Sequence, residues 1–230
     1  MGPPGRQTNS YRAAQVHHFS SFAPDGAAHS THFSGRNRPM PRLIPTVLAI
    51  ACAGFTAPML HAAEAEALAY ARAQLATLGE TPGITSVVKA GNLRHGALDE
   101  AQILELDAAW RAEIGSTSDT VITPVLESDA SDVLRKIVEA ANGRIVEIIV
   151  MDKMGMNAAI SAITSDYWQG DEAKYLETYP KGAGAVFVDT VEFDESSNLY
   201  LQQVSGTLTD PSTGMPIGAV TFGLDASAFN

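Results

Sequence analysis

Ser165-Asp-Tyr-Trp-Gln-Gly-Asp-Glu172 sets two aromatic rings beside three carboxylates in one short stretch. Aromatic faces next to fixed acids suit a small-ligand pocket, with the rings as walls and an acid fixing a polar or cationic group. In that reading Tyr167 and Trp168 are the walls and Asp166 and Asp171 the anchors. Tyr175, on a short helix that residues 170–179 allow before Pro180, completes the segment's candidates. Asp189 joins them from a strand expected over 185–193. Strict alternation there puts Phe187, Asp189, Val191 and Phe193 on one face, and an acid between apolar neighbours on an inward face is a candidate pocket residue. Gln202 and Gln203 occupy opposite faces of the next strand, so only one of them can face a pocket, and the spacing does not say which.

The same residues allow other chemistry. A divalent cation takes oxygen ligands, but no Asp-x-Asp-x-Asp-Gly loop is present and no metal is expected. A carboxylate pair of the glycosidase kind, drawn from Asp152, Asp166, Asp171, Glu172 and Asp189, needs a separation that spacing does not define. In a purely structural role Asp166 caps the short helix, Gly170 turns the chain, and Tyr167 and Trp168 close the core. No Gly-x-Ser-x-Gly elbow occurs. His95, the one histidine after residue 63, sits in Gly91-Asn-Leu-Arg-His-Gly96, which reads as an exposed polar loop. The expectation is a protein without catalytic activity and without a cofactor.

The first 63 residues differ from the rest. They hold Arg6, Arg12, Arg36, Arg38 and Arg42 against the single acid Asp25. Residues 40–63 read as a secretory signal, with a basic start at Arg42, an apolar run from Leu43 to Leu60 and small residues at Ala62 and Ala63. Pro45 and Pro58 break the run, which disfavours a spanning helix. Residues 1–39 then form a non-structural upstream extension. The lone cysteine, Cys52, lies inside the signal. The expected location is the periplasm or the exterior, with lipid anchoring at Cys52 as the alternative. From Glu64 onward 10 Lys and Arg face 25 Asp and Glu, a formal charge of −15. That surface repels phosphate backbones and anionic membranes, which excludes nucleic acid as a partner.

Ala, Leu and Glu from Glu64 to Leu78 predict a helix stopped by Gly79 and Pro82, with a linker to residue 97. Asp99 and Gln102 form a capping box, with Leu98 and Ile103 as staple, for a second helix running to Gly115. A third runs from about Ser131 to Asn142-Gly143. Ile145 to Val150 is a β-branched strand, Asp152 to Gly155 a turn, and Asn157 to Ile163 a returning strand. Strands over 185–193, 199–208 and 217–224 follow, the last two joined by Asp210-Pro-Ser-Thr-Gly214. The class is α+β, a five-stranded antiparallel sheet with helices beside it.

Several separated motifs now carry a resemblance: Val150-Met-Asp-Lys-Met-Gly-Met-Asn157, Thr164-Ser-Asp-Tyr-Trp-Gln-Gly-Asp-Glu-Ala-Lys174, Glu192-Phe-Asp-Glu-Ser196 and Pro216-Ile-Gly-Ala-Val-Thr-Phe-Gly223. Over about residues 98–225 the chain resembles the extracytoplasmic PAS-like sensor domains called PDC or Cache domains, of the stand-alone secreted type. The resemblance implies a sensor domain over 98–230 and a pocket on one side of the sheet, roofed by the segment after the second strand. In amino-acid-sensing members an arginine beside an aromatic pair holds the ligand carboxylate. No arginine occurs from Ile145 to Asn230, so an amine or other polar or cationic ligand is favoured. The expected function is small-molecule binding, with presentation of the ligand to a membrane receptor. The alternative is a protein-interaction domain with a vestigial pocket, which an exposed apolar stripe on residues 64–78 would favour. A homodimer through the N-terminal helix is a further expectation.

Overall fold

The computed structural model describes residues 57–118, 120–194 and 197–229. The extension expected at 1–39, Cys52 and most of the leader expected at 40–63 lie outside them. Helix α1, Ala57–Gly79, begins ahead of the Glu64 start expected from composition. Its Ala67, Ala71 and Leu78 are buried, and Leu68, Tyr70 and Leu75 pack against the same core. The exposed large hydrophobics all lie outside residues 64–78.

Helix α2, Pro82–His95, occupies what reads in the sequence as a linker. Pro82 opens it, where a missing N–H costs nothing. Gly83 and Gly91 depress its helix propensity, and tertiary packing through the fully buried Ile84 and Val88 compensates. Gly91 has a spatial reason: a Cβ there would lie 2.9 Å from the Asp152 carboxylate.

Helix α3, Glu100–Glu113, starts with the expected capping box. Gln102 N donates to Asp99 Oδ1 at 2.9 Å and Asp99 N to Gln102 Oε1 at 3.0 Å. At its far end Glu113 gathers the following loop, accepting from the backbone of Thr120, Val121 and Ile122 and from the hydroxyls of Ser118 and Thr120. That clasp seats the short α4, Ile122–Leu126, which no periodic pattern announces. Helix α5, Asp129–Ala140, is capped by Ser128, which accepts from Ser131 N, so it starts slightly before the Ser131 expected.

The strands are β1 Ile145–Asp152, β2 Asn157–Ile160, β3 Val186–Asp194, β4 Leu199–Thr209 and β5 Pro216–Asp225. They form one antiparallel sheet in the order β2-β1-β5-β4-β3. The ends of β2 and β3 therefore sit at opposite edges. The chain between them must cross the sheet, carrying α6, Ala173–Leu176, and a 3-10 turn, Tyr179–Lys181. Strand β2 stops at Ile160, short of the expected Ile163, as the chain leaves for this crossover.

Directly paired residues share a face. Ile148, Val150, Val204, Val220 and Phe222 meet α1, α2 and α5 in one core. Ile149, Met151 and Ala219 face the other way and join Ile103, Trp110, Ile122, Val125, Tyr167 and Tyr175 in a second. The fold is α+β and PAS-like.

Burial alone would raise the Glu113 carboxyl, but its donors, Ile122 and Thr120 foremost, outweigh burial and bring it from an ordinary 4.5 down to about 2. A depressed acid contributes stability that is complete above its unfolded pKa and is lost as pH falls through the folded one. Glu113→Gln should cost about 2 kcal/mol at neutral pH. Urea unfolding followed from neutral pH down to about 2 should show a shallower acid loss in the variant than in the parent.

Candidate functional site

The Ser165–Glu172 stretch is the first part of the crossover, and most of its polar groups are held by the protein. The Tyr167 ring stacks on Trp110 of α3 at 4.9 Å between centroids and 8° between planes. Asp107 Oδ1 accepts from the backbone of Tyr167 at 2.9 Å and of Trp168 at 3.0 Å. Trp110 Nε1 donates to Thr164 O and Trp168 Nε1 to Met154 O, each at 2.8 Å. Asn157 Nδ2 donates to Asp166 O at 2.8 Å. Asp166 does not cap a helix. Its Oδ1 accepts from Arg111 Nε at 2.6 Å, and Arg111 also pairs with Asp107. An arginine thus does stand beside the aromatic pair, supplied by α3. Burial works against its charge, but Asp107 and Asp166 together raise its pKa further.

Asp171 is exposed, and Tyr175 is buried, donating its hydroxyl to Lys153 O at 2.5 Å and stacking on Tyr179 at 5.8 Å. Burial first, then Tyr179 and Asp152, push the Tyr175 hydroxyl well up. The structure therefore brings Asp166, Tyr167 and Trp168 together against α3, sets Tyr175 over the β1–β2 turn, and leaves Asp189 on the far edge strand.

His95 is corrected most. It ends α2 rather than standing in an exposed loop, is 2% exposed, and its Nδ1 lies 2.6 Å from Asp152 Oδ2. Asp152 Oδ1 accepts from Met154 N and Met156 N, so one carboxylate ties α2 to the β1–β2 turn. That enclosure keeps the pair from a substrate. Asp189 Oδ1 accepts from Thr190 N at 2.8 Å, so Asp152, Asp166 and Asp189 have separate partners, and among the described residues no three His, Cys, Asp or Glu side chains could hold a metal ion.

The strand alternation expected around Asp189 also fails. Phe187 pairs with Ser205 but Val191 with Gln202, with a register shift between Val188 and Val191. The added residue moves Val191 to the face opposite Phe187. Asp189 and Thr190, at the bulge, edge two cavities. One, about 540 Å³, lies on the α1 side between Ala63, Ala67, Val188, Val191, Gln202, Leu224 and Phe229.

The other, about 70 Å³, lies on the crossover side, lined by Glu172, Ala173 and Lys174 from the start of α6, Asp189, Thr190 and Glu192 from β3, and Leu201 and Gln203 from β4. Gln203 is therefore the glutamine that faces the crossover. On this face Glu147 and Gln203 both pair with Gly223, and Ser205 with Thr221. All four polar side chains, with Thr207, are under a tenth exposed. Ser205 and Thr221 bond each other at 2.9 Å. Gln203 Nε2 and Thr207 Oγ1 have no hydrogen-bond partner among the described residues. A buried donor left unmade costs about 1–3 kcal/mol. Lys174 was absent from the candidates; Glu172 stood among them only as one of five acids for a carboxylate pair, and Gln203 only as one of two glutamines. The signal for Gln203 was its alternation with Ser205 and Thr207, which looks like a solvent face until the crossover covers it.

Strand order and polar cavity define a PAS-like α+β domain with a pocket under its crossover. No protein-family profile and no curated protein matches the chain. Among solved structures it is similar to the ligand-binding domain of the Campylobacter jejuni chemoreceptor Tlp3 in complex with 4-methylisoleucine, at 12% identity, covering 76% of this chain and 65% of that one, with a TM-score of 0.35. The same domain in complex with L-valine matches at 12% identity, 76% and 66% coverage and a TM-score of 0.34. The sensor domain of the V. cholerae histidine kinase DctB matches at 12% identity, 72% and 58% coverage and a TM-score of 0.29. The chain spans less than two thirds of each.

Gly155 has φ +78°, and a Cβ there would lie 2.6 Å from Gly170 Cα. Gly155→Ala should therefore loosen the crossover where it docks on the β1–β2 turn and destabilise the protein by about 2 kcal/mol or more. Chemical denaturation measures the loss, and hydrogen exchange should show Trp168 and Gln169 amides losing protection first.

Proposed function

We propose that this chain is a non-catalytic, sensor-type domain that binds a small polar or cationic molecule outside the cytoplasm. The supporting observation is the cavity on the crossover face, where three carboxylates and one lysine surround the buried Gln203 amide. An acidic, partly enclosed and polar-lined cleft favours a cation or hydrogen-bonding solute over an anion or a lipid. Asp189 is the residue of the expected ligand set that lines it. Asp166, Tyr167, Trp168 and Tyr175 hold the roof, so they govern ligand binding through its position.

Export fits the reading. The leader expected at 40–63 would release a protein beginning near Glu64. The bound form is then available to a membrane receptor. Intact-mass measurement of the exported protein checks the start, and retention of residues 40–63 would count against it.

A thermal-shift screen against amines, polyamines, sugars, carboxylates and amino acids tests the binding itself. A ligand at a hundred times its dissociation constant adds about 2.7 kcal/mol, on the order of 5–10 °C for a domain this size. Asp189→Asn should abolish the shift. A panel without any shift would turn the assignment toward a protein-interaction domain.

A further inference from the structure

The charges and the unmade hydrogen bond in the crossover-side cavity together narrow the ligand further than its polarity does. This step rests on the binding reading above. Among the described residues the carboxylates of Glu172, Asp189 and Glu192 outnumber the one cation in the wall, Lys174, and Glu172 Oε2 lies 3.0 Å from Lys174 Nζ. A ligand carboxylate would meet net repulsion there, and an ammonium would be attracted. Gln203 is 7% exposed and its Nε2 has no partner among the described residues. Among the described residues no hydrogen bond fixes either end of this amide, so it offers the cavity a donor or an acceptor, and a hydroxyl can meet either. The volume of about 70 Å³ admits roughly five water-sized groups.

We propose that the ligand is a short amine bearing a hydroxyl: its ammonium lies between Asp189 and Glu192, and its hydroxyl bonds the Gln203 side-chain amide. Gln203 is then the residue that selects a hydroxylated amine over a plain alkylamine, and the acids select against a zwitterion. A site built to hydrogen-bond an oxygen discriminates strongly against the analogue lacking it, because its own donor is then left unmade.

Isothermal titration of the full chain with ethanolamine, ethylamine and glycine tests this directly. Ethanolamine should bind, and ethylamine, which lacks the oxygen, and glycine, which replaces it with a carboxylate, should each bind at least about tenfold more weakly. Gln203→Met keeps the side-chain length and removes the amide without adding a charge, and should weaken ethanolamine by about tenfold or more, as should Asp189→Asn. Ethylamine or glycine binding as tightly as ethanolamine would overturn the proposal. So would tighter binding by Gln203→Met, or ethanolamine binding that neither substitution alters. If a variant fails to fold, as judged by circular dichroism, the three ligands compared on the unaltered chain decide alone. If no amine binds but another class in the wider screen shifts the melting temperature, this ligand assignment falls and the binding function stands. Silence from every compound removes both.

Discussion

The sheet order β2-β1-β5-β4-β3 obliges residues 161–185 to run from one edge to the other across a face that must also be buried. Irregular backbone in that position cannot bond its own neighbours as a helix or strand would, and buried N–H and C=O groups left unmet are costly. The partners come from elsewhere in the fold. Asp107 takes the Tyr167 and Trp168 amides, Trp110 and Asn157 supply donors to Thr164 and Asp166 carbonyls, and Gly155 O accepts from Gln169 N at 2.8 Å. The aromatics serve the same end, since Trp110 and Tyr167 seal by stacking what the hydrogen bonds hold in place.

Two buried carboxylates divide this work. Asp107 fixes the crossover to α3, and Asp152 fixes the turn beneath it to α2 through His95. The gap left under the start of α6 is lined by Glu172, Lys174, Asp189 and Gln203. A polar row on β4 and β5 can stay under cover there because Ser205 and Thr221 satisfy each other and because the gap leaves room for solvent or a ligand. The pocket is thus a consequence of how the crossover is pinned, and the acids on its edge strand give it a sign.

The capping box at Asp99 and Gln102, the β-branched run of β1, and the acid-to-glycine turns ending at Gly155 and Gly214 were legible because each is a local arrangement whose partners lie within a few residues. Helix α2 was not, because Pro82, Gly83 and Gly91 read as punctuation, and only the fit of Gly91 against Asp152 explains a glycine there. The bulge in β3 was hidden for a related reason: β-strand alternation counts residues along one chain, whereas a bulge is an offset against β4. Arg111 escaped notice because it reaches Asp166 from 55 positions away.

The amino-acid sequence by itself determined the class, the number of strands, the acidity and the concentration of chemistry between Ser165 and Asp189, since these follow from local propensity, composition and period. Tertiary structure alone decided which of those groups face one another. It turned the aromatic-acid stretch toward α3, made His95 a buried tie, chose Gln203 over Gln202, and left Asp189 at the cavity wall. The reason is physical: burial and hydrogen-bond satisfaction are properties of a surface assembled from distant segments, and a side chain's partners are settled only when the crossover closes over the sheet.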